Sequence, residues 1–265
     1  MKRKKPSRKL IFERKFLRII SPAVQKICEP PKLSKIKRAL FIQPHPDDNQ
    51  IGAGGTIAWL VDIGVEVYEL TVLDDRYTDL TYSGEGLTVR QKEALDAQKC
   101  LGMKDAGFLG FCDRTKASAR EISEKIVEVI REIKPDAVFT VDSNLENEFH
   151  EDHIKVGQAV KYACMDSTFD FYPEFVDNKP REDIWTVKTI AFYYTDKPNT
   201  VADISEYEEK KMESMRCHKS QMVPGFQNLI KLQAQQFAVE TQYDSVEVLR
   251  VVSSMHTHCF NFPVG

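Results

Sequence analysis

The sequence predicts one α/β domain in which a mostly parallel, doubly wound sheet carries helices on both faces. Strand-like and helix-like segments alternate along the chain, polar loops follow the strand-like segments, and no internal repeat or low-complexity stretch interrupts the alternation. The 265 residues suffice for one large domain and are short for two.

Six segments have the apolar or alternating pattern of strands, namely residues 38–43, 65–73, 107–111, 136–141, 186–194 and 245–255. Helices are predicted to begin at residue 56 and to span residues 87–101, 118–133, 150–165, 204–218 and 226–240. Gly102 and the pair Lys134-Pro135 end two of these helices. This order is that of a Rossmann-like domain, which we assign to residues 38–265.

Basic residues are concentrated at the N-terminus. Residues 1–38 contain fourteen Lys and Arg against two Glu, a balance of +12, whereas the rest of the chain has a balance of −15. An acidic body disfavours nucleic-acid binding, because duplex affinity depends on neutralising phosphates. We treat residues 1–37 as a basic helical arm that either packs on the acidic body or makes peripheral contact with an anionic membrane or polyanion.

The chain is expected to be cytoplasmic. Its six cysteines are scattered and form no Cys-x-x-Cys pair, which is typical of reduced core thiols. Charged residues interrupt the apolar N-terminal stretch, so no signal peptide is predicted. No uncharged run approaches the roughly 20 residues that a membrane-spanning helix needs.

The most informative stretch, residues 41–56, leads from the first strand towards the first helix and reads FIQPHPDDNQIGAGGT. It places His45, Asp47 and Asp48 at the carboxyl end of a strand, where open α/β sheets bind their ligands. Imidazole nitrogen and carboxylate oxygen together suit zinc. Adjacent aspartates in an extended turn point in different directions, so one can bind a metal while the other faces a substrate.

Two other interpretations of this stretch are open. A nucleotide-binding turn would need Gly or Ala at the sixth position counted from Gly52, where the chain has Ile57, and no Gly-Lys-Ser/Thr follows. A solvated turn whose acids cap the next helix is the other alternative.

A second group of candidate residues follows the fourth strand, where residues 142–153 read DSNLENEFHEDH. His150 and His153 are three residues apart at a predicted helix start and therefore share a face. Right-handed crossovers bring the loops of a parallel sheet to one edge. His45, Asp48 and one of these two histidines would then leave a position for water, as in catalytic zinc sites. A surface helix cap is the alternative.

With these motifs the chain resembles the PIG-L/LmbE-like zinc-dependent N-deacetylases over about residues 38–240. The resemblance rests on residues 44–48, 51–56 and 150–153, with weaker matches at Arg90 and Glu93 and at residues 111–113 and 218–221. Members of this family act on N-acetylglucosamine linked to phosphatidylinositol, inositol, malate or other groups. The resemblance implies an LmbE-like fold and a hydrolase that removes an N-acetyl group through a metal-activated water.

Carried over residue by residue, the resemblance implies a zinc ion bound by three side chains: His45, Asp48 and His153. Ferrous iron is the alternative metal, since similar ligands accept both. Asp47 would be the general base, and His150 would stabilise the oxyanion or protonate the leaving amine. Asp152 would orient His150, although a first-turn acid that interacts with the helix dipole is an equally ordinary role.

Arg90, Asp113 and His218 are candidate substrate contacts, with surface ion pairs and a helix cap as alternatives. Asn49 departs from the family, which usually has Glu after the paired aspartates, so a supporting role of that charge would be weakened or replaced. The expected partner is a small-molecule amino-sugar conjugate, and a homo-oligomer is compatible with the sequence. A non-catalytic sugar- or lipid-binding module would keep this fold without turnover.

Overall fold

The computed structural model describes residues 26–74, 86–173, 179–260 and 264. Within these ranges one sheet contains the strands β1 (Arg38–Gln43), β2 (Glu66–Asp74), β3 (Lys104–Cys112), β4 (Ala137–Val141), β5 (Thr189–Tyr193), β6 (Thr200–Asp203) and β7 (Val246–Ser253). The helices are α1 (Asp48–Asp62), α2 (Val89–Leu101), α3 (Ala119–Ile133), α4 (Glu151–Asp166), α5 (Glu208–Cys217) and α6 (Phe226–Ala238). Residues 1–25 of the predicted arm, and residues 75–85 of the polar loop after β2, lie outside the described residues.

The strand order is β3-β2-β1-β4-β5-β7-β6. β1 to β5 are paired in parallel, whereas β7 is antiparallel to both β5 and β6. The predicted mostly parallel sheet is therefore confirmed. β6 was not predicted, because a four-residue edge strand is too short to show a period. β1 and β4 are direct neighbours, so the loops that follow them lie side by side.

The core lies on both faces of the sheet because neighbouring residues of the central strands point to opposite sides. Ala39 and Phe41 of β1 pack with α1, and Phe41 stacks on Phe139 of β4 at 4.2 Å between ring centroids. Leu40 and Ile42 pack on the other face with the apolar sides of α3 and α4. Helices thus cover both faces.

Local signals determine where several helices begin and end. Capping boxes start α2 (Thr88 with Gln91) and α3 (Ser118 with Glu121), since each Ser or Thr side chain accepts from the backbone N–H three residues on. Gly102 and Lys134 follow these helices in the left-handed conformation. The predicted bounds of α2 and α3 differ from the observed ones by at most two residues.

α1 begins at Asp48, eight residues before the predicted start, and contains the glycine run. Glycine is a poor helix former, but here close packing requires it. A Cβ atom on Gly52 would lie 2.3 Å from the Tyr193 ring, and one on Gly55 would lie 2.6 Å from Ile204 Cγ2. These glycines permit close packing of the helix against β5 and the segment after β6, which disfavours a nucleotide-binding turn.

A buried carboxylate supports a kink in α1. Ala53 has non-helical angles (φ −143°, ψ 17°), so nearby N–H groups lack their usual acceptors. Glu247 of β7 accepts from Gly55 N at 3.0 Å and from Thr56 N at 2.7 Å. Lys211 Nζ lies 2.6 Å from Glu247 Oε1, and both side chains are almost fully buried. The Glu247 carboxylate therefore accepts hydrogen bonds from the backbone N–H groups at the kink, and Lys211 balances its charge.

All six cysteines are free. Cys28 and Cys164 are buried, as expected for core thiols, but Cys112, at the end of the edge strand β3, and Cys259, after β7, are exposed. No helix in the described part of the chain has the length and hydropathy to cross a bilayer.

We expect Lys211→Met to destabilise the fold by about 3 kcal/mol, because it leaves Glu247 as an uncompensated buried charge. Lys210→Met is the matched control, since Lys210 is adjacent and pairs with Glu213 in solvent. Urea unfolding of both variants measures the difference. Equal stability of the two variants would contradict the structural role given to the Lys211–Glu247 pair.

Candidate metal centre and active site

The structure brings together the two distant segments that carry the predicted site residues. Asp47 and Asp48 are the N-cap and first residue of α1, and His150 and His153 start α4. The three imidazole rings lie close together, with centroid distances of 4.7 Å for His45–His150, 5.3 Å for His45–His153 and 4.9 Å for His150–His153. This packing follows from the pairing of β1 with β4.

His45, Asp48 and His153 form a cluster whose candidate ligand atoms all lie within 4.8 Å of one another. Asp48 lies between the two rings, with its Oδ2 atom 3.3 Å from His45 Nδ1 and its Oδ1 atom 3.3 Å from His153 Nε2. The backbone N–H of His45 also donates to Asp48 Oδ2 at 2.8 Å, which holds the turn closed.

A second cluster with the same spacing contains His45, His150 and Asp152, so His45 belongs to both. His45 Nε2 lies 3.5 Å from Asp152 Oδ2 and 3.4 Å from Asp113 Oδ1. The geometry thus contains the ligand set implied by the resemblance and an overlapping alternative.

Glu148, which sequence reasoning missed, orients one of the rings. Its Oε2 atom lies 2.9 Å from His153 Nδ1. A carboxylate only accepts, so Nδ1 is the nitrogen that donates to Glu148, whereas Nε2 faces Asp48. A carboxylate on the far nitrogen is the usual support of a metal-binding histidine. The one signal in the sequence was an acid in the loop five residues before His153.

The charges around the rings fit a divalent cation. Carboxylates of Asp47, Asp48, Asp113 and Asp152 all face this small, mostly buried volume. Burial alone would lower the pKa of His45, but hydrogen bonds to Asp152 and Asp48 outweigh it and raise that pKa to about 10. A site where carboxylates favour a positive charge, and where imidazole nitrogen and carboxylate oxygen atoms can act as ligands together, suits zinc or ferrous iron.

Asp47 lies beside the cluster, outside both candidate ligand sets. Its Oδ1 atom is 3.2 Å from Arg90 Nη2, and both side chains are mostly buried. Burial and the neighbouring Asp48 raise the pKa of Asp47 to about 6, against the opposing effect of Arg90. A carboxylate with a pKa close to neutrality is suited to accept a proton.

His150 is the most solvent-accessible of the three histidines, with 46% of its side chain exposed. Burial, with the neighbouring His45 and His153, lowers its pKa. Asp152 Oδ2 lies 3.9 Å from His150 Nδ1, which is beyond hydrogen-bond range, and accepts instead from Arg114 N at 2.8 Å. The contact expected to orient His150 is therefore longer than a hydrogen bond.

Arg90, Asp113 and His218 are all buried near the cluster rather than on the surface. Burial and the charge of Arg90 lower the pKa of His218 to about 4, so this imidazole is neutral. Its Nε2 atom has no hydrogen-bond partner among the described residues. Glu93 of α2 holds the adjoining turn by accepting from Ser220 N and Oγ at 2.9 and 2.7 Å.

Asn49 takes part in a buried network that contains a carboxyl group from another element. Its Nδ2 atom donates to Glu69 Oε2 at 2.9 Å, and its Oδ1 atom accepts from the Tyr193 hydroxyl at 2.8 Å. Gln50 also donates to Glu69 Oε2 at 2.8 Å. The family usually has an acid after the paired aspartates, where this helix has Asn49. In this chain the carboxyl group of Glu69, on β2, lies against that position.

Residues 40–164 match the family described as PIG-L, GlcNAc-PI de-N-acetylase. A diacetylchitobiose deacetylase of Thermococcus kodakarensis is 36% identical over 219 residues, covering 79% of each chain. A probable N-acetyl-alpha-D-glucosaminyl L-malate deacetylase 2 of Bacillus cereus is 29% identical over 198 residues, 70% of this chain and 84% of that protein.

Among solved structures, the N,N'-diacetylchitobiose deacetylase from Pyrococcus horikoshii is similar over 98% of both chains, with a TM-score of 0.76 and 26% identity. A conserved protein from Thermus thermophilus, TT1542, gives a TM-score of 0.69 over 82% of this chain and 94% of its own, at 24% identity.

We expect Glu69→Gln to gain stability relative to the wild type as pH rises. Burial raises the pKa of Glu69 from 4.5 to about 7. Between these values the folded chain keeps a proton that the unfolded chain has lost, so Glu69 costs stability as pH increases, by up to ~3 kcal/mol. Urea unfolding at pH 5 and pH 8 measures the change.

Glu66→Gln on the same strand is the control for this experiment. Ion pairs with Lys104 and Arg38 lower the pKa of Glu66 to about 2, so its stabilising contribution is lost only in more acidic solution. The free energies of unfolding of Glu69→Gln and wild type could instead differ by the same amount at pH 5 and pH 8. That result would show that burial does not raise the pKa of Glu69.

We expect Asn49→Glu to destabilise the protein by about 2–4 kcal/mol, because two carboxyl groups would then meet in one buried site. Adding Glu69→Gln should restore most of this stability, since the amide at position 69 can then donate a hydrogen bond to the carboxylate at position 49. Thermal unfolding of the two single variants and the double variant measures the coupling. If the stability changes of the two single variants simply add in the double variant, positions 49 and 69 cannot exchange the carboxyl and amide roles.

Proposed function

Because the chain belongs to the PIG-L/LmbE-like family of N-acetylglucosamine deacetylases, we propose that it hydrolyses the N-acetyl group of an N-acetylglucosamine conjugate with the help of a bound divalent metal ion. The observation that carries the proposal is the meeting of His45, Asp48 and His153 beside an Asp47 that is outside this candidate ligand set. Such an arrangement provides a metal site and a separate base.

The substrate class is inferred from what the relatives' names share. They describe deacetylases of diacetylchitobiose, of a glucosaminyl malate and of an inositol glucosaminide. The common group is an N-acetylated glucosamine, whereas the attached groups differ. We therefore assign the N-acetylglucosamine unit as the recognised group. Competent residues at every proposed position favour an enzyme over a non-catalytic binding module.

His45, Asp48 and His153 would hold the metal ion, with zinc as the proposed species. When bound, such an ion lowers the pKa of water and polarises the amide carbonyl. Glu148 accepts a hydrogen bond from His153 Nδ1, so Nε2 would be the nitrogen that binds the metal ion. Asp48 lies between both rings, so its carboxylate would be the third ligand.

Asp47 would accept the proton of the attacking water. Arg90 fixes the carboxylate at 3.2 Å, and the raised pKa brings its basicity towards neutrality. A base with this pKa is ionised at neutral pH yet still holds a proton well enough to pass it on.

His150 would deliver a proton to the departing amine. Its exposure places it where a substrate can touch it, and its lowered pKa makes proton release easier. Asp152, bound to Arg114 N, would act on His150 through its charge at 3.9 Å. Arg90, Asp113 and the neutral His218 would contact the acetamide or the sugar hydroxyls, since each is buried near the cluster with polar atoms available.

We expect Asp47→Asn to lower kcat by about 10²–10⁴-fold while the protein retains its metal, because a base is lost and the proposed ligands are kept. Acetate release from an N-acetylglucosaminide and elemental analysis of the purified protein provide the two measurements. Asp96→Asn is the control, as Asp96 is an exposed acid on α2. His153→Ala should lose the metal as well. An unchanged rate in Asp47→Asn would reject Asp47 as the base.

A further inference from the structure

Two cysteines from distant parts of the chain face each other between α2 and α5. Cys100 is the last residue but one of α2, and Cys217 is the last residue of α5. The side chain of Cys217 lies within hydrogen-bonding reach of the side chain of Cys100. Both are free thiols with partial access to solvent, whereas Cys28 and Cys164 are enclosed in the core. A small polar oxidant can therefore reach this pair.

The end of α5 runs antiparallel to α2, and the contacts on this interface keep the two thiols opposite each other. Asp96, one turn before Cys100, acts on the charge of Cys217. Further along the chain, Ser220 N and Oγ donate to Glu93 at 2.9 and 2.7 Å, one turn earlier on α2. A later residue of one segment thus meets an earlier residue of the other. The hydrogen bonds of Glu93 hold the end of α5 against α2.

The two thiols lie in different charge environments. Lys210 Nζ interacts with Cys100 as well as with Glu213, whose Oε2 atom is 2.9 Å away. A neighbouring ammonium group stabilises a thiolate, which is the form of cysteine that reacts with oxidants. At Cys217, burial and the neighbouring Cys100 outweigh the effect of Lys219 and raise the pKa of the thiol. Cys100 is therefore suited to react first, and Cys217 to react with the product.

The pair adjoins the candidate active site through the chain itself. Cys217 directly precedes His218, whose imidazole is buried near the charge of Arg90 and is a proposed substrate contact. A disulfide holds its two sulfur atoms about 2 Å apart, which is much closer than two thiols in non-bonded contact. Closing this gap would pull the end of α5 towards α2 and displace the backbone that carries His218.

We propose that Cys100 and Cys217 are an oxidisable pair, which hydrogen peroxide converts into a disulfide that displaces His218 and weakens substrate binding. The Cys100 thiolate attacks one peroxide oxygen and breaks the O–O bond, which gives a sulfenic acid and hydroxide; the hydroxide takes the thiol proton and becomes water. Cys217 then attacks the sulfenic sulfur, forms the S–S bond and releases a second water. The peroxide receives the two electrons that the thiols lose. The effect on substrate binding rests on the proposed deacetylase function.

Peptide mass mapping of the full chain after treatment with hydrogen peroxide tests the pair directly. We expect a cross-link between the peptides that contain Cys100 and Cys217, with the loss of two hydrogen atoms, and its reversal by a phosphine reductant. Lys210→Met should slow the formation of this cross-link several-fold, because the charge beside Cys100 is lost. A map without the Cys100–Cys217 cross-link would overturn the proposal.

The link to the active site has a readout that does not depend on activity. The imidazole proton signal of His218 in NMR spectra can be assigned by its loss in His218→Gln. Oxidation should shift this signal in the wild type but not in Cys217→Ser. Cys259→Ser is the matched control, because Cys259 is an exposed thiol away from the pair and should leave the response unchanged. A His218 signal that stays in place after the cross-link forms would overturn the coupling between the pair and the site.

Kinetics test the functional consequence. In the disulfide form, KM for an N-acetylglucosaminide should rise up to about tenfold, the effect of one lost hydrogen bond, and the reductant should restore it. An equal rise in Cys217→Ser would show that peroxide acts elsewhere and would overturn the regulatory role. If neither form of the wild type releases acetate from any N-acetylglucosaminide, the deacetylase proposal fails. The peptide map and the His218 signal still decide whether the pair is oxidised and coupled to the site.

Discussion

The pairing of β1 with β4 is the constraint on which the site depends. These strands are hydrogen-bonded neighbours, so the turn into α1 and the turn into α4 are forced to the same point of the sheet edge. His45 and His153 are more than a hundred residues apart in sequence, yet their rings lie 5.3 Å apart. No local feature of either loop could produce this approach, which requires the central sheet to be complete.

Two buried carboxyl groups hold α1 in the position that this approach needs. Glu69 bonds the first turn of the helix through Asn49 and Gln50, and Glu247 bonds the N–H groups after the kink. Glu247 is paired with Lys211, so its charge is compensated, whereas Glu69 has only amide donors and its pKa rises. The helix that carries Asp47 and Asp48 is thus fixed by polar contacts on either side of its kink.

The sequence predicted the central strands and most helices because their apolar spacing and caps are local signals. The start of α1 was placed eight residues late, since glycines disfavour helices locally and only packing against Tyr193 and Ile204 explains them. The candidate metal residues could be named because their motif is short and specific. Glu69 could not, because only the folded sheet brings it near its partner Asn49. Glu148 could not, because nothing in the sequence of the loop shows that it turns back onto the His153 ring five residues later.

The cluster concentrates the carboxylates of Asp47, Asp48, Asp113 and Asp152 around the histidine rings. Raised pKa values of His45 and His153 show that the carboxylates favour positive charge on both imidazoles. Protonation of these rings would remove the lone pairs with which they can bind a metal, so protons and a metal ion compete for the same atoms. Occupation of the site is therefore expected to weaken as pH falls, and a buried metal ion would relieve the same carboxylate repulsion that protonation relieves. The polar contacts that fix α1 hold Asp47 and Asp48 beside the histidine rings.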